Sequence, residues 1–351
     1  MTPISSPADP IDLDAPIDLG GLEPDLAVEM YRRMRLVREF EERVNRLFLQ
    51  GKIPGTIHLS FGQEACAVGG TMPLRTTDRM TLTHRGHGQA LAKGVTARSM
   101  MAELFARETG CCRGFGGSLH VGDWSVGALP GIGIVGAAIP IAAGLAYAAR
   151  TLGEDRVVLC FTGDGAMAEG DTHEGFNLAT LWHLPVVYLV ENNLYSISTR
   201  IDRQTLVTSI AAKVEAAYAL PAVTVDGNDA GAVFRAARDA VERARAGGGP
   251  SLIEALTYRQ GGHKRDDPAT YRPRDEVELW LSRDPIKRYR RALDAAGLAD
   301  RAAAADSAAI AEIDDAVAFA EESPPATGIL PAPGASSAAP GGADSIRGGA
   351  R

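Results

Sequence analysis

The chain has 351 residues, 45% of them apolar, which is enough to build one large α/β domain or two small ones. Its net charge of −8 argues against nucleic-acid binding, because that function requires a basic surface. The N-terminus lacks a secretion signal, and glycine or proline interrupts the apolar segments, so no membrane span is predicted. The four cysteines lack zinc-site spacing and favour a reduced, cytoplasmic protein.

The two ends of the chain differ in composition from its centre. Residues 1–22 are rich in proline, aspartate and serine and predict a flexible leader. Residues 323–351 are mainly proline, alanine, glycine and serine, which bury little apolar surface, so a disordered tail is predicted. The interval 23–322 is expected to form the folded domain. It begins with an amphipathic helix from Pro24, with Gly51 as its left-handed cap.

Two polar motifs follow this helix. Segment 55–65 contains His58, and the spacing of Ser60 and Gln63 is that of a capping box, which predicts a helix start. Segment 83–88 contains His84 and Arg85 after a short strand-like run. A lone histidine is more often structural, and a lone arginine more often forms a surface ion pair, so neither motif assigns a function alone.

Segment 131–136, GIGIVG, matches the dinucleotide-binding pattern by letter. The pattern should follow a strand, but Pro130 and a glycine-rich loop precede it here. The acidic residue that should end a strand about twenty positions later is Asp155, which instead precedes one. We therefore do not favour a dinucleotide site. An alanine-rich helix is predicted next, from Ile139 to Leu152.

The centre of the chain reads as a strand, a helix and a second strand. The first apolar run leads into a Gly-Asp-Gly turn with Asp164, and the second ends at an Asn-Asn pair with Asn193. Parallel strands of this kind bind ligands beyond their carboxyl ends, so both side chains are expected in one crevice. With the backbone carbonyl of Tyr195, they offer three oxygens suited to magnesium. Gly163 and Gly165 would let the backbone approach a diphosphate.

The alternation of strands and helices continues after this unit. A strand is predicted at 222–225, a helix capped by Asn228 or Asp229 follows it, and another strand runs from 251 to 258. A polar loop containing His263 comes directly after that strand. This order predicts a doubly wound, mainly parallel α/β sheet.

The Gly163-Asp164-Gly165 turn followed by Asn192-Asn193 resembles the thiamine diphosphate and magnesium motif. From about residue 26 to about residue 293, the chain resembles the alpha subunit of the first, substrate-cleaving component of 2-oxo acid and acetoin dehydrogenase complexes. This resemblance implies the thiamine diphosphate-binding fold, with thiamine diphosphate and magnesium as cofactors.

The resemblance also implies roles for individual residues. Those implied to bind the metal are Asp164, Asn193 and the carbonyl of Tyr195, and those implied in proton transfer or charge stabilisation are His58 and His263. The positions that match cofactor contacts are His84, Arg85, Gly133, Val135, Gly163, Asp164, Gly165, Ala166, Asn193 and His263. Two positions differ from the family pattern, because pyruvate-type relatives carry tyrosine at His84, and mammalian members carry a regulatory serine at Lys264.

The implied reaction cleaves a carbon–carbon bond beside a carbonyl and passes the acyl unit to a lipoyl group. Relatives place an essential glutamate on a second, pyrimidine-binding domain, for which 351 residues leave too little room. A separate beta subunit is therefore implied, giving two alpha and two beta chains with the site at their interface. A lipoyl acyltransferase core is the implied next component.

The substrate is less specifically indicated. The motif around His84 and the loop at 123–127 resemble the acetoin-type branch, whereas segment 169–173 resembles branched-chain 2-oxo acid relatives. A small acyl donor, acetoin or pyruvate, is the favoured prediction. A stand-alone two-chain carboligase, a nicotinamide-dependent oxidoreductase of Rossmann type and a non-catalytic interaction protein remain as alternatives.

Overall fold

A computed structural model describes residues 11–328 of the chain. The predicted leader and tail therefore lie partly outside the described residues. The strands are β1 (Arg79–Thr81), β2 (Val158–Gly163), β3 (Val186–Asn192), β4 (Tyr195–Ser196), β5 (Thr199–Arg200), β6 (Ala222–Asp226) and β7 (Ser251–Leu256). The α-helices are α1 (Pro24–Leu49), α2 (Glu64–Thr71), α3 (His87–Lys93), α4 (Ala97–Leu104), α5 (Ala138–Thr151), α6 (Gly170–Leu181), α7 (Ile210–Tyr218), α8 (Ala230–Arg245), α9 (Arg274–Ser282), α10 (Pro285–Ala295) and α11 (Ala299–Glu322).

Five strands form one parallel sheet in the order β1–β2–β3–β7–β6. The register pairs Val158 with Val186 and Val187 with Ser251, so the carboxyl ends of β2, β3 and β7 lie side by side. Strands β4 and β5 form a separate antiparallel pair directly after β3. The prediction of a doubly wound, mainly parallel sheet is confirmed.

Helices cover both faces of the sheet, which is why its central strands are apolar on both sides. Leu159 and Phe161 of β2 face a core formed with α1, α2, α3, α4, α8 and α11. Val158 and Cys160 of the same strand face the opposite core, formed with α5, α6 and α7. The strand ends between these two layers are left as the edge at which ligands can bind.

Most local predictions are confirmed. Helix α1 ends at a left-handed Gly51, helix α5 covers the predicted alanine-rich segment, and Asp229 caps α8 by accepting from two backbone N–H groups. The prediction of a capping box at Ser60 is wrong. Helix α2 begins at Glu64, and the Ser60 hydroxyl donates to the Glu41 carboxylate at 2.7 Å. A buried carboxylate brought in by α1 displaces the local cap.

The described parts of the two terminal segments pack on the domain. In the leader, Ile17 is buried and Asp14 forms an ion pair with Arg283 at 2.6 Å. In the tail, the Pro324 carbonyl accepts from the Glu108 backbone N–H at 3.0 Å. Contacts with the domain therefore extend beyond the predicted boundaries at residues 22 and 323. Within residues 11–328, no helix has the length and apolar character needed to cross a bilayer.

A buried carboxylate supports the segment that carries the Asn192-Asn193 pair. Glu254 of β7 is 1% exposed and accepts from the Asn192 side chain at 2.7 Å, the Ala211 N–H at 2.9 Å and the Thr224 hydroxyl at 3.2 Å. The carboxylate thus joins β3, β6 and α7 beneath the strand ends.

Glu254→Gln is expected to lower the free energy of unfolding by about 1.5–3 kcal/mol, because an amide cannot accept all three of these hydrogen bonds. Urea unfolding of the purified chain measures this. Glu215→Gln, at an exposed position on α7, is the matched control and should leave stability unchanged. Equal stability of the two variants would contradict the supporting role of Glu254.

Candidate active site

A cavity of about 390 Å³ lies at the carboxyl ends of β2, β3 and β7. Each strand end contributes to its wall: Gly163 ends β2, Asn193 follows β3, and Arg259 follows β7. The structure places all of the sequence-predicted site residues in this wall: His58, His84, Arg85, Gly133, Val135, Gly163, Asp164, Gly165, Ala166, Asn193, Tyr195 and His263. Their individual roles remain predictions.

One side of the cavity carries the predicted metal ligands. Asp164 is 4% exposed, and its Oδ2 has no hydrogen-bond partner within the described part of the chain. Burial raises the pKa of this carboxyl to about 6. The Asn193 Oδ1 accepts from the Tyr195 N–H at 3.3 Å, which closes the turn after β3. A buried carboxylate with a free oxygen beside an amide oxygen fits a hard divalent cation.

The two glycines of the Gly-Asp-Gly turn have different environments. A Cβ at Gly163 would meet no atom within 4 Å, so the space beside the backbone there is open. A Cβ at Gly165 would lie 2.5 Å from the Ser196 Oγ, so Gly165 is required for packing of the turn against β4. A Cβ at Gly133 would meet only the His120 Cε1 at 3.6 Å, which is an ordinary contact. The backbone at Gly133 is therefore open as well.

The cavity wall also carries two buried arginines. Arg85 is 5% exposed and donates to the carbonyls of Leu59 at 2.6 Å and His263 at 2.8 Å. Burial and the neighbouring Arg259 lower its pKa to about 9. Arg259 is 2% exposed and donates to the Ile197 carbonyl at 3.0 Å.

Neither guanidinium has a carboxylate within ion-pair distance among residues 11–328. Buried charges are normally paired, so two unpaired cations in one wall predict an anionic ligand. Sequence reasoning missed Arg259, although its position directly after an apolar strand was a usable signal. After the strand at 251–258, the sequence predicted a functional role only for His263.

Three histidines cluster in the cavity wall. The ring centroids of His58 and His84 are 5.1 Å apart, those of His58 and His263 are 5.1 Å apart, and those of His84 and His263 are 5.5 Å apart. Burial, with Arg85 as the next cause, lowers the pKa of His58 and of His84 to about 3, and that of His263 to about 4. All three are neutral at pH 7, so each ring can both donate and accept a hydrogen bond.

Further residues of the wall carried no sequence signal. Glu191 is 4% exposed, accepts from the Gln89 side chain at 2.7 Å, and has a pKa raised by burial to about 7. Gln63 lines the cavity instead of capping a helix with Ser60. Glu191 directly precedes the Asn192-Asn193 pair, and Gln63 directly precedes α2.

The rim of the cavity is apolar and exposed. Ile134 is 70%, Val135 is 48% and Ile197 is 58% exposed, and all three line the cavity. The glycine-rich segment that carries the first two follows no strand, which agrees with the prediction that it is not a dinucleotide motif. It is held instead by the Gly131 carbonyl, which lies 2.7 Å from Nδ1 of His120.

Comparison with protein families decides between the alternatives. The model for the dehydrogenase E1 component family matches residues 32–328. The chain belongs to the dehydrogenase E1 component family. Enzymes of this family depend on thiamine diphosphate, typically with a divalent metal such as magnesium, so the predicted cofactors and the alpha-subunit assignment are confirmed.

Several curated relatives have similar lengths. The acetoin:2,6-dichlorophenolindophenol oxidoreductase alpha subunit of Bacillus subtilis is 45% identical over 304 residues, covering 86% of this chain and 91% of that protein. Its counterpart from Cupriavidus necator is 43% identical, covering 80% and 84%. The pyruvate dehydrogenase E1 alpha subunit of Rhizobium meliloti is 44% identical, covering 79% of each chain. These matches give no support to a carboligase, a nicotinamide enzyme or a non-catalytic protein.

The neutral histidines predict a pH-dependent stability. His84 stays neutral in the folded chain down to about pH 3, because its pKa is lowered to that value, whereas in the unfolded chain it gains a proton near pH 6.5. The unfolded state therefore binds more protons in this range, and stability falls as pH drops below about 6.5.

The His84→Gln variant lacks this titrating group. Its free energy of unfolding should therefore fall less steeply between about pH 6 and pH 4, with a slope that corresponds to about one proton fewer taken up on unfolding. Thermal unfolding at a series of pH values measures the difference. Ile134→Ala, a neutral change on the same cavity rim, should keep the wild-type slope. A wild-type slope in His84→Gln would show that the ring is protonated when folded.

Proposed function

We propose that the cavity holds thiamine diphosphate, with its diphosphate against Arg85 and Arg259 and with magnesium at Asp164, Asn193 and the Tyr195 carbonyl. The observation that carries this proposal is the set of charged groups in the cavity wall. Two guanidinium groups without an ion-pair partner and a carboxylate with a free oxygen line the same cavity, within the described part of the chain. A metal–diphosphate pair carries the complementary charges, and the open backbone at Gly163 leaves room for it.

The cofactor, when bound, supplies a carbon nucleophile that attacks carbonyl substrates. The residues of this chain would bind it, orient it and manage protons around it. The Gly133 and Val135 backbone would contact its rings, and the position of both residues in the cavity wall supports this role. His58 and His263 are the proposed proton-transfer groups, because they are neutral and lie at the same wall as Arg85.

We propose a small acyl donor, acetoin or pyruvate, as the substrate. Support comes from His84, which stands where pyruvate-type relatives carry tyrosine, and from the names of the acetoin and pyruvate relatives. Pocket discrimination amounts to only about 1–3 kcal/mol per methylene, so branched-chain 2-oxo acids are the competitors to test.

We also propose a complex of two alpha and two beta chains that passes the acyl unit to a lipoyl acyltransferase core. The exposed apolar rim at Ile134, Val135 and Ile197 supports a second subunit at the cavity, because such a rim is normally covered by a partner. A cytoplasmic location is the accompanying proposal, supported by four cysteines that all remain free.

The anion site is tested by Arg85→Lys and Arg259→Lys in the alpha–beta complex. Each should weaken thiamine diphosphate binding by about 1.5–3 kcal/mol, because an ammonium group cannot reproduce the planar fork of a guanidinium. Calorimetry at saturating magnesium measures the affinity. Arg274→Lys, an exposed arginine outside the cavity, is the control and should bind like wild type. Wild-type affinity in both cavity variants would remove the diphosphate from this wall.

The substrate is tested by the alpha–beta complex with an artificial electron acceptor. We expect the kcat/KM for acetoin or pyruvate to exceed that for a branched-chain 2-oxo acid by about tenfold or more, the discrimination that a small pocket provides. The chain without its beta subunit is the control and should show no turnover. A higher kcat/KM for the branched-chain substrate would overturn the substrate proposal and leave the cofactor site standing, whereas turnover by the single chain would refute the need for a beta subunit.

A further inference from the structure

An aromatic cluster lies between the turn after β3, the loop after β7 and helix α9. It consists of Tyr195, Tyr258, Tyr271 and Trp280, and we call it the tyrosine cluster. Tyr195 and Tyr258 meet edge to face at 6.2 Å, Tyr195 and Tyr271 are 5.9 Å apart, and Tyr258 stacks on Trp280 at 5.4 Å. The cluster therefore joins two segments that line the cavity, the turn that contains Tyr195 and the strand end that leads to Arg259.

One carboxylate accepts hydrogen bonds from two tyrosine hydroxyl groups of this cluster. Glu276, in the first turn of α9, accepts from the Tyr195 hydroxyl at 2.7 Å and from the Tyr258 hydroxyl at 3.0 Å through the same oxygen. Its other oxygen accepts from the Arg200 Nε at 3.2 Å. The side chain is 15% exposed, so these hydrogen bonds are largely shielded from water. Hydrogen bonds to a charged acceptor are the stronger ones in proteins.

The two tyrosines that share this oxygen belong to different halves of the site. Tyr195 is the residue whose carbonyl is proposed to bind magnesium, and its N–H closes the turn on Asn193. Tyr258 directly precedes Arg259, a buried cation of the cavity wall. A shift of either backbone segment therefore changes a hydrogen bond to the same carboxylate.

The connection extends into the loop that carries His263. Arg259 donates to the Tyr271 hydroxyl at 3.0 Å, and that hydroxyl donates to Asp267 at 2.7 Å. The same Asp267 oxygen accepts from the His263 N–H at 2.7 Å. Tyr271 also packs on Tyr195, so an uninterrupted chain of contacts joins the metal turn to the histidine loop.

We propose that Glu276 is a positioning residue that couples the magnesium turn to the arginine and histidine loop of the cofactor site. This role of Glu276 rests on the proposed function. Glu276 does not line the cavity, so it acts through Tyr195 and Tyr258 and not on the ligand. Residues that orient metal ligands from behind typically change metal affinity by about 10–100-fold when they are replaced.

The test uses Glu276→Gln in the alpha–beta complex. Magnesium is titrated calorimetrically at saturating thiamine diphosphate, and the variant should bind it about tenfold more weakly than wild type. Tyr195→Phe, which removes one hydroxyl and keeps the backbone carbonyl, should weaken binding in the same direction. The double variant should be no weaker than Glu276→Gln alone, because both changes break the same hydrogen bond.

A second readout follows the loop without using activity. Lys264 and Arg265 are trypsin sites in the loop that carries His263. Magnesium with thiamine diphosphate should protect this loop from cleavage in wild type. Glu276→Gln should need about tenfold more magnesium for equal protection. Glu278→Gln, at an exposed position on the same helix, is the matched control and should behave like wild type in both measurements.

The outcomes separate this inference from the proposed function. If wild type binds magnesium and thiamine diphosphate but Glu276→Gln binds magnesium equally well, the coupling is refuted and the site stands. A lower melting temperature with unchanged magnesium affinity shows a purely structural glutamate and also refutes it. If wild type itself binds neither cofactor, the proposed function fails and the inference fails with it.

Discussion

Burial of positive charge at one edge of a parallel sheet is the constraint on which the site depends. Arg85 and Arg259 are almost fully enclosed and donate to carbonyls and a tyrosine hydroxyl, and neither has a carboxylate within ion-pair distance among residues 11–328. Enclosed, unpaired cations destabilise a folded chain unless an anion joins them. A bound diphosphate would supply the negative charge that these arginines lack as ion-pair partners. Burial and the charge of the arginines lower the pKa of the neighbouring imidazoles and keep them neutral.

The sheet decides where this charge meets its counterpart. Because β2, β3 and β7 are parallel and adjacent, their carboxyl ends bring Asp164, Asn193 and Arg259 to one cavity from positions far apart in sequence. Asp164, Arg85 and Arg259 line this cavity without forming ion pairs with one another. A metal bound to phosphate oxygens would offer a cation to Asp164 and anionic oxygens to the arginines.

Sequence predicted the parts of the site that depend on local order and strand direction. The Gly-Asp-Gly turn and the Asn-Asn pair follow apolar runs, so their placement at neighbouring strand ends required only a parallel sheet. The parts that it could not give depend on distant partners. Ser60 has the spacing of a helix cap, but its hydroxyl donates a hydrogen bond to the carboxylate of Glu41 on α1 instead. Arg259 follows a strand, yet only the folded chain shows that no carboxylate among residues 11–328 reaches it.

The edge of the cavity explains why such a site is incomplete in a single chain. Carbanion chemistry on a cofactor requires that water be kept from the reacting carbon. Here the side chains of Asp164, Arg85 and Arg259 are buried, but the rim at Ile134, Val135 and Ile197 is largely exposed. Covering that rim removes apolar surface from water at about 25 cal/mol per Å² and encloses the reacting end at the same time. One binding event with a partner chain would therefore stabilise the assembly and exclude water from the site, which ties assembly to the chemistry.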